Sequence, residues 1–375
     1  MANSLRIAHL GVAALPIPHP LGGAIQRRML ELARAQAARG HTVVLYSAGE
    51  RARRTTLDGV EIRTLACRRR MPLRDIEYMR KAIAEVTAEP ADLLHFHSLP
   101  EGATLARGLG AKTILSFDNF FFRRGKRTPL FWWYRRALRR FSCLLPVSQF
   151  CRRGFQHYWQ TDPAPIHVLH NGVNLDQFTP DPVRGAQRRR ALGIAEDQKV
   201  VLYVGRVCHQ KGTDILIEAF ARLRETMSDV RLVVAGPSEQ FGSLAGTALT
   251  RRISEVGGLY LGPVDESILP SVYNMGDIFV MPTRELEMFG MAALEAQACG
   301  KPVISSEHGG LPEVISPASG LFFPPGRADA LEARLRKCLV EDGLRRSLAE
   351  MARNNASRFA WPGIARRIEE IYHAC

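Results

Sequence analysis

The chain has 375 residues, 46% of them hydrophobic and 23% charged, with a net charge of +14 and seven cysteines. This length predicts two or three domains of about 150 residues each, and the composition excludes a disordered chain. No stretch reaches the roughly 18 uninterrupted apolar residues of a membrane-spanning helix, and the N-terminus makes a poor signal peptide. The odd number of cysteines, without CxxC spacing, favours a reduced, cytoplasmic protein.

The positive charge is concentrated in the first half. Residues 1–175 hold 27 of the 51 Lys and Arg residues but only 12 of the 37 Asp and Glu residues. Such an excess suits an anionic partner, for example a phosphorylated acceptor, an anionic lipid headgroup or nucleic acid. Nucleic acid is the poorer interpretation, because no nucleic-acid-binding motif accompanies the charge. The alternative is a solvated basic surface in a composition that uses Arg far more often than Lys.

Apolar runs alternate with helical stretches along the first half. The predicted strands are RIAHLGV, TVVLYSAG, VEIRTL, ADLLHFH, KTILSF, CLLPVS and IHVLHNGV, and the predicted helices follow Gly23, span about 75–88 and 129–140, and begin at Ser148. This alternation is typical of βαβ units around a parallel sheet. His95 and His97 lie two apart on one strand and therefore face the same side. They either line a ligand site or form a structural pair.

A Pro-, Gly- and Arg-rich segment interrupts this rhythm. We predict a linker at 176–198, between a first domain at 1–175 and a second at 199–358. The alternation then resumes with the strands KVVLYVGR, VRLVVAG, LYLG, DIFVMP, PVISS and GLFF. Two such sheets in tandem place a crevice between them, and ligands of such sheets lie at the carboxyl ends of the strands.

The motif GRVCHQKG, Gly205 to Gly212, follows the first of these strands and opens a helix. Arg206 and Lys211 therefore lie beside a helix N-terminus. Two cations and a row of unpaired N–H groups form an anion site suited to a diphosphate. The alternative is a pair of strand-end cations that face solvent.

A second motif contains Glu287 and, eight residues later, Glu295. On a helix this spacing would place both carboxylates on roughly the same side. They would lie too far apart to act as one acid/base pair on a single bond, but they suit two contacts on one extended ligand. The alternative is a Glu near a helix N-terminus and a surface Glu on the helix.

Together these motifs resemble glycosyltransferase family 4, the retaining nucleotide-sugar glycosyltransferases of the GT-B fold. The resemblance covers essentially the full length. It rests on Gly22-Gly23, DLLHFHS, HNGVNLDQF, the GR-x4-KG and E-x7-E patterns, and GKPVISSEHGGLPEVI. It implies an α/β fold of GT-B type, with two Rossmann-like domains facing each other across a cleft. The first domain would bind the acceptor and the second the nucleotide sugar, and a C-terminal helix at 359–375 would cross back to the first domain.

The resemblance also implies roles for individual residues. Arg206 and Lys211 would hold the donor diphosphate and stabilise its developing charge, and Glu287 would bind hydroxyls of the donor sugar. The remaining donor contacts would come from Gly22 and Gly23 at the diphosphate, Val264 near the nucleobase, the backbone N–H groups of Phe289, Gly290 and Met291, and Glu295 at the ribose.

One position departs from the family. After the fifth strand the family commonly has a His, whereas KTILSFDNFF places Asp118 there. A carboxylate could accept a proton from the acceptor, which makes Asp118 a candidate catalytic residue, or it could bind a sugar hydroxyl. It cannot donate a hydrogen bond as a neutral imidazole does. The alternative is that Asp118 caps a turn with Asn119.

We expect catalysis without a metal or other cofactor, with the nucleotide-diphosphate sugar as co-substrate. No Asp-x-Asp motif follows a strand, and no His/Asp cluster has metal-like spacing. Cations and helix dipoles would stabilise the leaving group. The family implies front-face transfer, in which the departing phosphate oxygen deprotonates the acceptor hydroxyl. We expect a role in bacterial polysaccharide or glycoconjugate biosynthesis. The alternatives are transfer to a soluble small molecule and a non-catalytic sugar-nucleotide-binding protein.

The run RRGKRTPLFWWYRRALRR, residues 123–140, mixes basic residues with aromatics. This mixture suits peripheral binding to the anionic inner face of the cell membrane. It equally suits a lipid-linked or phosphorylated acceptor. The alternative is a core-facing helix with buried aromatics and Arg on the solvent side.

Overall fold

The protein is described by a computed structural model over residues 4–13, 15–18, 23–69, 73–118, 129–160, 164–238, 245–285 and 287–375. The chain forms two compact units. Met1–Gly172 and Trp361–Cys375 make up the first unit, and Val173–Ala360 make up the second. Each unit is an α/β fold built on a mainly parallel sheet.

Seven strands form the sheet in the described part of the first unit. They are β1 (Arg6–Leu10), β2 (Thr42–Gly49), β3 (Arg53–Leu57), β4 (Val60–Ala66), β5 (Leu93–His97), β6 (Lys112–Phe117) and β7 (Cys143–Pro146). Their order is β3-β4-β2-β1-β5-β6-β7, and all pairs are parallel except β3 with β4. Asp58 and Gly59, both with positive φ, join β3 to β4 in a tight hairpin. Strand β3 is not among the strands predicted from the sequence.

Helices of the first unit cover this sheet. They are α1 (Ala24–Ala37), α2 (Leu73–Ala88), α3 (Gly102–Leu105), α4 (Pro129–Leu138), α5 (Gln149–Trp159) and the C-terminal α14 (Trp361–Ala374). The predicted apolar face of α1 is buried at Met29, Leu32 and Ala33. The C-terminal helix buries Ile368 and Tyr372 in a cluster with residues of β1, β5, β6 and β7, and it therefore belongs to the first unit.

The second unit contains a six-stranded parallel sheet in its described part, in the order β10-β9-β8-β11-β12-β13. Its strands are β8 (Lys199–Val204), β9 (Val230–Ala235), β10 (Leu259–Tyr260), β11 (Ile278–Met281), β12 (Val303–Ser306) and β13 (Gly320–Phe323). Its helices are α6 (Pro182–Ala191), α7 (Thr213–Arg224), α8 (Ala245–Glu255), α9 (Leu269–Met275), α10 (Met291–Ala298), α11 (Leu311–Val314), α12 (Ala328–Val340) and α13 (Asp342–Ser357). The central strands are buried on both faces, as expected when helices cover a parallel sheet.

The segment 176–198, expected to be a linker, is part of the second unit. Its helix α6 packs against α9, and the Arg189 guanidinium donates to the Asp277 carboxylate at 2.7 Å. Buried Phe178 and Ile194 also anchor the segment in the second unit. The predicted strand IHVLHNGV is also wrong. This segment pairs with β7 through a single bridge, between Leu144 and Ile166.

All seven cysteines are free thiols, and five of them are buried. Within the described ranges, we find no helix with the length and apolarity needed to cross a lipid bilayer.

Candidate active site

The loop from β8 to α7 places two cations at the carboxyl end of a central strand. It contains a short 3-10 turn, His209–Lys211. The Tyr203 hydroxyl donates to the carbonyl oxygen of Arg206 at 2.7 Å, which fixes the backbone from which Arg206 projects. Gly212 has a φ of +69°, and a Cβ atom there would lie 1.8 Å from the carbonyl oxygen of Pro282. Glycine is therefore required for this loop to approach the loop after β11.

This close approach brings Lys211 to Glu287. The Lys211 Nζ donates to Glu287 Oε2 at 2.5 Å, and the two side chains are 21% and 13% exposed. Because β8 and β11 are neighbours in the sheet, residues 76 positions apart meet at its carboxyl edge. A charge-assisted hydrogen bond largely shielded from water holds both groups in place. An ammonium and a carboxylate therefore lie preorganised side by side.

Two glycines after β12 support the Glu287 loop. The Gly310 N–H donates to the carbonyl oxygen of Glu287 at 2.8 Å. Gly309 has a φ of +66°, and a Cβ atom there would lie 2.2 Å from the same oxygen. The Gly-Gly part of the second motif therefore holds the backbone of Glu287 in position.

Glu295 lies in the second turn of α10 and is 2% exposed. The Tyr273 hydroxyl donates to its Oε2 atom at 2.7 Å, so helix α9 fixes the orientation of this carboxylate. Glu287 precedes α10, which begins at Met291. The eight-residue spacing therefore spans the end of a loop and the first turns of a helix, and helical geometry applies only from Met291 onward. The first N–H groups of an α-helix have no acceptor within the helix and favour negative charge.

The other residues that are expected to contact the nucleotide sugar lie on α10, just before it, or after β10. The Phe289 side chain is buried and packs edge-on against Phe359, with ring centroids 5.9 Å apart. Gly290 is the N-cap of α10 and Met291 its first residue. Val264 is partly exposed, four residues after the edge strand β10. The backbone around α10 thus meets the carboxyl edge of the sheet, where Arg206, Lys211 and Glu287 also lie.

In the first unit, Gly22 lies outside the described residues, and Gly23 is the N-cap of α1. Asp118 follows β6, and its Oδ1 atom accepts a hydrogen bond from the Arg28 guanidinium. Arg28 lies on α1, is 2% exposed and also donates to the Ser116 hydroxyl at 3.3 Å. Arg28 lies 90 residues from Asp118 in the sequence, and no local pattern predicts their contact. Asn119 lies outside the described residues.

Three buried histidines meet near the carboxyl ends of β1 and β5 in the first unit. His9 and His95 are register partners on β1 and β5, and ring nitrogens of His9, His95 and His97 lie within 4.8 Å of one another. The alternation along β5 predicts only the pair of His95 and His97, and the sequence predicts no cluster with metal-like spacing. In the structure His9 joins this pair. The His9 Nδ1 and His97 Nε2 atoms are 2.9 Å apart and hydrogen-bonded to each other. His95 bonds to the hydroxyls of Ser116 and Tyr372. A hydrogen-bond network beside the Arg28 cation therefore describes this cluster better than a set of metal ligands does.

The basic and aromatic run is described from residue 129 onward, and residues 123–128 lie outside the described ranges. Within α4, Phe131 is buried and stacks on Trp159, with ring centroids 4.7 Å apart. Trp132 and Trp133 are 57% and 44% exposed. The Arg135 guanidinium lies 5.3 Å from the Trp132 ring centroid. The buried-aromatic alternative therefore holds for Phe131 and fails for the two tryptophans.

Comparisons with known proteins agree with this architecture. The family model described as Glycosyltransferase Family 4 matches residues 22–177, and the one described as Glycosyl transferases group 1 matches residues 186–355. The chain belongs to glycosyltransferase family 4. Its two mainly parallel α/β units are those of the GT-B fold.

Two relatives of this family 4 member are named D-inositol 3-phosphate glycosyltransferase. The protein from Jonesia denitrificans is 34% identical over 225 residues, which is 57% of this chain and 52% of the relative. The protein from Mycobacterium bovis is 35% identical over 209 residues, which is 53% of this chain and 42% of the relative. The chain thus spans about half the length of the curated relatives it matches.

Solved structures share the fold over almost the whole chain. Sucrose-phosphate synthase from Thermosynechococcus elongatus has a TM-score of 0.81 and 22% identity, and the match covers 99% of this chain and 98% of that one. Anabaena HepE in complex with UDP and glucose has a TM-score of 0.79 and 19% identity, with coverage of 99% and 100%. At these identities the likeness concerns the fold.

Proposed function

We propose that this family 4 member transfers a sugar from a nucleoside-diphosphate sugar to a hydroxyl acceptor, with retention of anomeric configuration and without a metal. The observation that carries the proposal is the Lys211–Glu287 pair at 2.5 Å, at the carboxyl ends of β8 and β11. An ammonium suits a diphosphate oxygen, and an adjacent carboxylate suits the hydroxyls of a sugar attached to it. The Anabaena HepE structures contain UDP and UDP-glucose, which supports a uridine nucleotide as the first donor to test.

In the proposed mechanism, each group acts on one part of the donor. Arg206 and Lys211 stabilise the charge that develops on the diphosphate as the glycosidic bond breaks. Glu287 orients the donor sugar, and Glu295 accepts hydrogen bonds from the ribose hydroxyls, with its orientation fixed by Tyr273. The acceptor hydroxyl oxygen attacks the anomeric carbon on the same face from which the diphosphate departs. The departing phosphate oxygen takes the proton of that hydroxyl. No protein nucleophile takes part in this scheme.

The pairing of Asp118 with Arg28 changes the role that we propose for Asp118. The Oδ1 atom of Asp118 already accepts a hydrogen bond from the buried Arg28 guanidinium, and this contact fixes the orientation of the carboxylate. We therefore favour the alternative in which Asp118 accepts a hydrogen bond from a hydroxyl of the acceptor. It remains a candidate for the reaction through orientation of the attacking hydroxyl.

The acceptor is proposed to carry a negative charge. The basic excess lies within residues 1–175, where 27 Lys and Arg face 12 Asp and Glu. The names of the relatives specify an inositol phosphate acceptor, which is a hydroxylated anion of this kind. We therefore propose a phosphorylated polyol as the acceptor class.

Product analysis distinguishes this proposal from a non-catalytic sugar-nucleotide-binding protein. The protein is incubated with UDP-glucose and D-inositol 3-phosphate, and the anomeric proton of the product is followed by NMR. We expect a product with the α configuration of the donor. A β-configured product contradicts retention. Donor binding without either transfer or hydrolysis, across a panel of nucleotide sugars, indicates the non-catalytic alternative.

Metal removal tests the proposed leaving-group chemistry. Because Arg206 and Lys211 supply the positive charge at the diphosphate, we expect the turnover rate to persist in excess EDTA. The measurement is initial rate before and after dialysis against EDTA. Complete loss of the rate that magnesium or manganese restores would contradict the metal-free mechanism.

We also propose that α4 binds an anionic membrane surface. Exposed Trp132 and Trp133 lie beside the basic residues of this helix. Each Lys or Arg near such a surface contributes roughly 1 kcal/mol, screened by salt, and interfacial tryptophans add a salt-resistant contribution. In co-sedimentation with vesicles containing phosphatidylglycerol, we expect binding that weakens as salt rises. The double variant Trp132→Ala/Trp133→Ala should bind less.

Phe131 provides the matched control for this experiment, because it is the buried aromatic of the same helix. Phe131→Ala should lower the unfolding temperature and leave vesicle binding of the folded fraction unchanged. If the wild-type protein does not bind anionic vesicles at low salt, the membrane proposal fails, and a soluble phosphorylated acceptor is the better assignment.

A further inference from the structure

The first unit has a topological switch point between β1 and β5. In the order β3-β4-β2-β1-β5-β6-β7, the chain continues from β1 to β2 on one side, whereas β5 lies on the other side. Parallel sheets bind ligands outside the carboxyl ends of the two strands at such a point. Here those ends are Gly11, which follows β1, and His97 and Ser98 at the end of β5.

Two side-chain atoms at this point are buried and have no hydrogen-bond partner among the described residues. They are Nδ1 of His97 and Oγ of Ser98. His97 is 2% exposed. Ser98 has a φ of +55°, in the left-handed region that a non-glycine residue rarely adopts. Buried polar atoms normally have a partner, and strained residues of this kind concentrate at ligand sites.

The network behind His97 fixes which of its nitrogens carries the proton. The Gln36 Oε1 atom accepts from His9 Nε2 at 2.7 Å, and the Gln36 amide nitrogen donates to the Tyr372 hydroxyl at 3.0 Å. With its proton on Nε2, His9 has a bare Nδ1 atom, which must accept from His97 Nε2 at 2.9 Å. The Nδ1 atom of His97 therefore carries a lone pair and no proton, so it can only accept a hydrogen bond.

Burial keeps this arrangement neutral. Desolvation lowers the pKa of His9 to about 4 and lowers the pKa values of His95 and His97 well below the usual range, and the nearby Arg28 cation acts in the same direction. The imidazoles therefore remain uncharged at neutral pH. An acceptor-only nitrogen repels the oxygen of a phosphate or carboxylate and binds a hydroxyl group that donates.

We propose that His97 Nδ1 and Ser98 Oγ form a subsite that binds one hydroxyl group of the acceptor. This subsite deepens the proposed function and rests on it. His97 accepts the hydroxyl proton in a hydrogen bond, and the Ser98 hydroxyl donates to the same oxygen or to a neighbouring one. The chain of contacts Gln36–His9–His97 acts as a positioning network, because it sets the tautomer that makes His97 an acceptor.

Nitrogen NMR of the full chain with 15N-labelled histidine tests the tautomer. We expect His97 to carry its proton on Nε2 and to stay neutral down to pH 5. Adding D-inositol 3-phosphate, as the probe, should shift the Nδ1 resonance of His97. A proton on Nδ1, or a resonance that does not move at a probe concentration that saturates turnover, overturns the proposal. An unmoved resonance would indicate that a buried water, and not the acceptor, is the hydrogen-bond partner of His97 Nδ1.

Kinetics with UDP-glucose and D-inositol 3-phosphate test the subsite directly. His97→Phe should raise the KM for the acceptor by about tenfold, the equivalent of one lost hydrogen bond, with a much smaller change in the KM for the donor. His157→Phe is the matched control, since His157 is exposed on α5 of the same unit. If the wild-type protein shows no turnover of any acceptor, the proposed function fails. If it turns over and His97→Phe leaves the acceptor KM unchanged, only the subsite is wrong.

Ser98→Gly provides a readout that a purely structural role would not give. Glycine adopts a φ of +55° without strain, so the variant should unfold at the same or a higher temperature. It nevertheless loses Oγ, so its acceptor KM should rise several-fold. Gln160→Gly is the matched control, because Gln160 has a φ of +57° at the end of α5. It should have a similar effect on unfolding and none on KM. An unchanged acceptor KM in Ser98→Gly would remove Ser98 from the subsite.

Discussion

Replacing Lys211 by alanine should lower kcat by about 100-fold or more. The variant removes one of the two cations proposed to stabilise the leaving diphosphate, a contribution of about 3 kcal/mol to the transition state. It also leaves the Glu287 carboxylate, which is 13% exposed, without its ammonium partner. Arg206→Ala should have an effect on kcat of similar size. The measurement is the steady-state rate with a saturating nucleotide sugar.

Lys337→Ala is the control for this experiment. Lys337 is an exposed cation on α12 of the same unit, so its loss changes the net charge by the same amount without touching the proposed site. We expect wild-type kcat for this variant, and unfolding temperatures should be compared for the wild-type protein and all three variants. Near-normal turnover in both Lys211→Ala and Arg206→Ala would contradict the assignment of the site.

Gly212→Ala should give the largest loss of stability among the glycine substitutions near the site. A Cβ atom at this position would lie 1.8 Å from the Pro282 carbonyl oxygen. The two loops would have to separate, which costs about 2 kcal/mol or more beyond the backbone strain. We expect the unfolding temperature of the second unit to fall by about 6–12 °C, and turnover to fall because Lys211 moves away from Glu287.

Gly193→Ala isolates the effect of the clash from the effect of φ. Gly193 has a φ of +65°, close to the +69° of Gly212, but no atom lies within 4 Å of the position of its Cβ. The two variants therefore carry the same backbone strain of about 1 kcal/mol. Similar unfolding temperatures and similar turnover in both would show that the contact between Gly212 and Pro282 does not hold the site together.

Local sequence patterns predicted the strands that carry the donor site and the residues at their ends. The GR-x4-KG and E-x7-E patterns are local, because each lies within one strand–loop–helix unit. The contact between Lys211 and Glu287 is not local. It depends on β8 and β11 being neighbours, and the order of parallel strands is not encoded in the spacing of residues along the chain.

The same reason explains why two functional residues of the first unit, His9 and Arg28, are not predicted by local sequence patterns. The alternation of His95 and His97 indicated a shared side of one strand, but His9 joins them only through the register of β1 with β5. Arg28 was overlooked because it lies on the first helix, among other Arg residues of an Arg-rich chain. Its burial distinguishes it, and burial of one Arg among many is decided by packing.

Binding of UDP by calorimetry tests the central claim most directly, because it requires neither the acceptor nor the sugar to be known. If the residues at the ends of β8 and β11 and on α10 form the donor site, UDP binds the wild-type protein and Lys337→Ala with equal affinity. Lys211→Ala and Glu295→Ala should then bind it at least about tenfold more weakly, in keeping with the loss of a charge-assisted hydrogen bond. If no nucleoside diphosphate of a panel of UDP, ADP, GDP and TDP binds, or if all four proteins bind it equally, the site lies elsewhere.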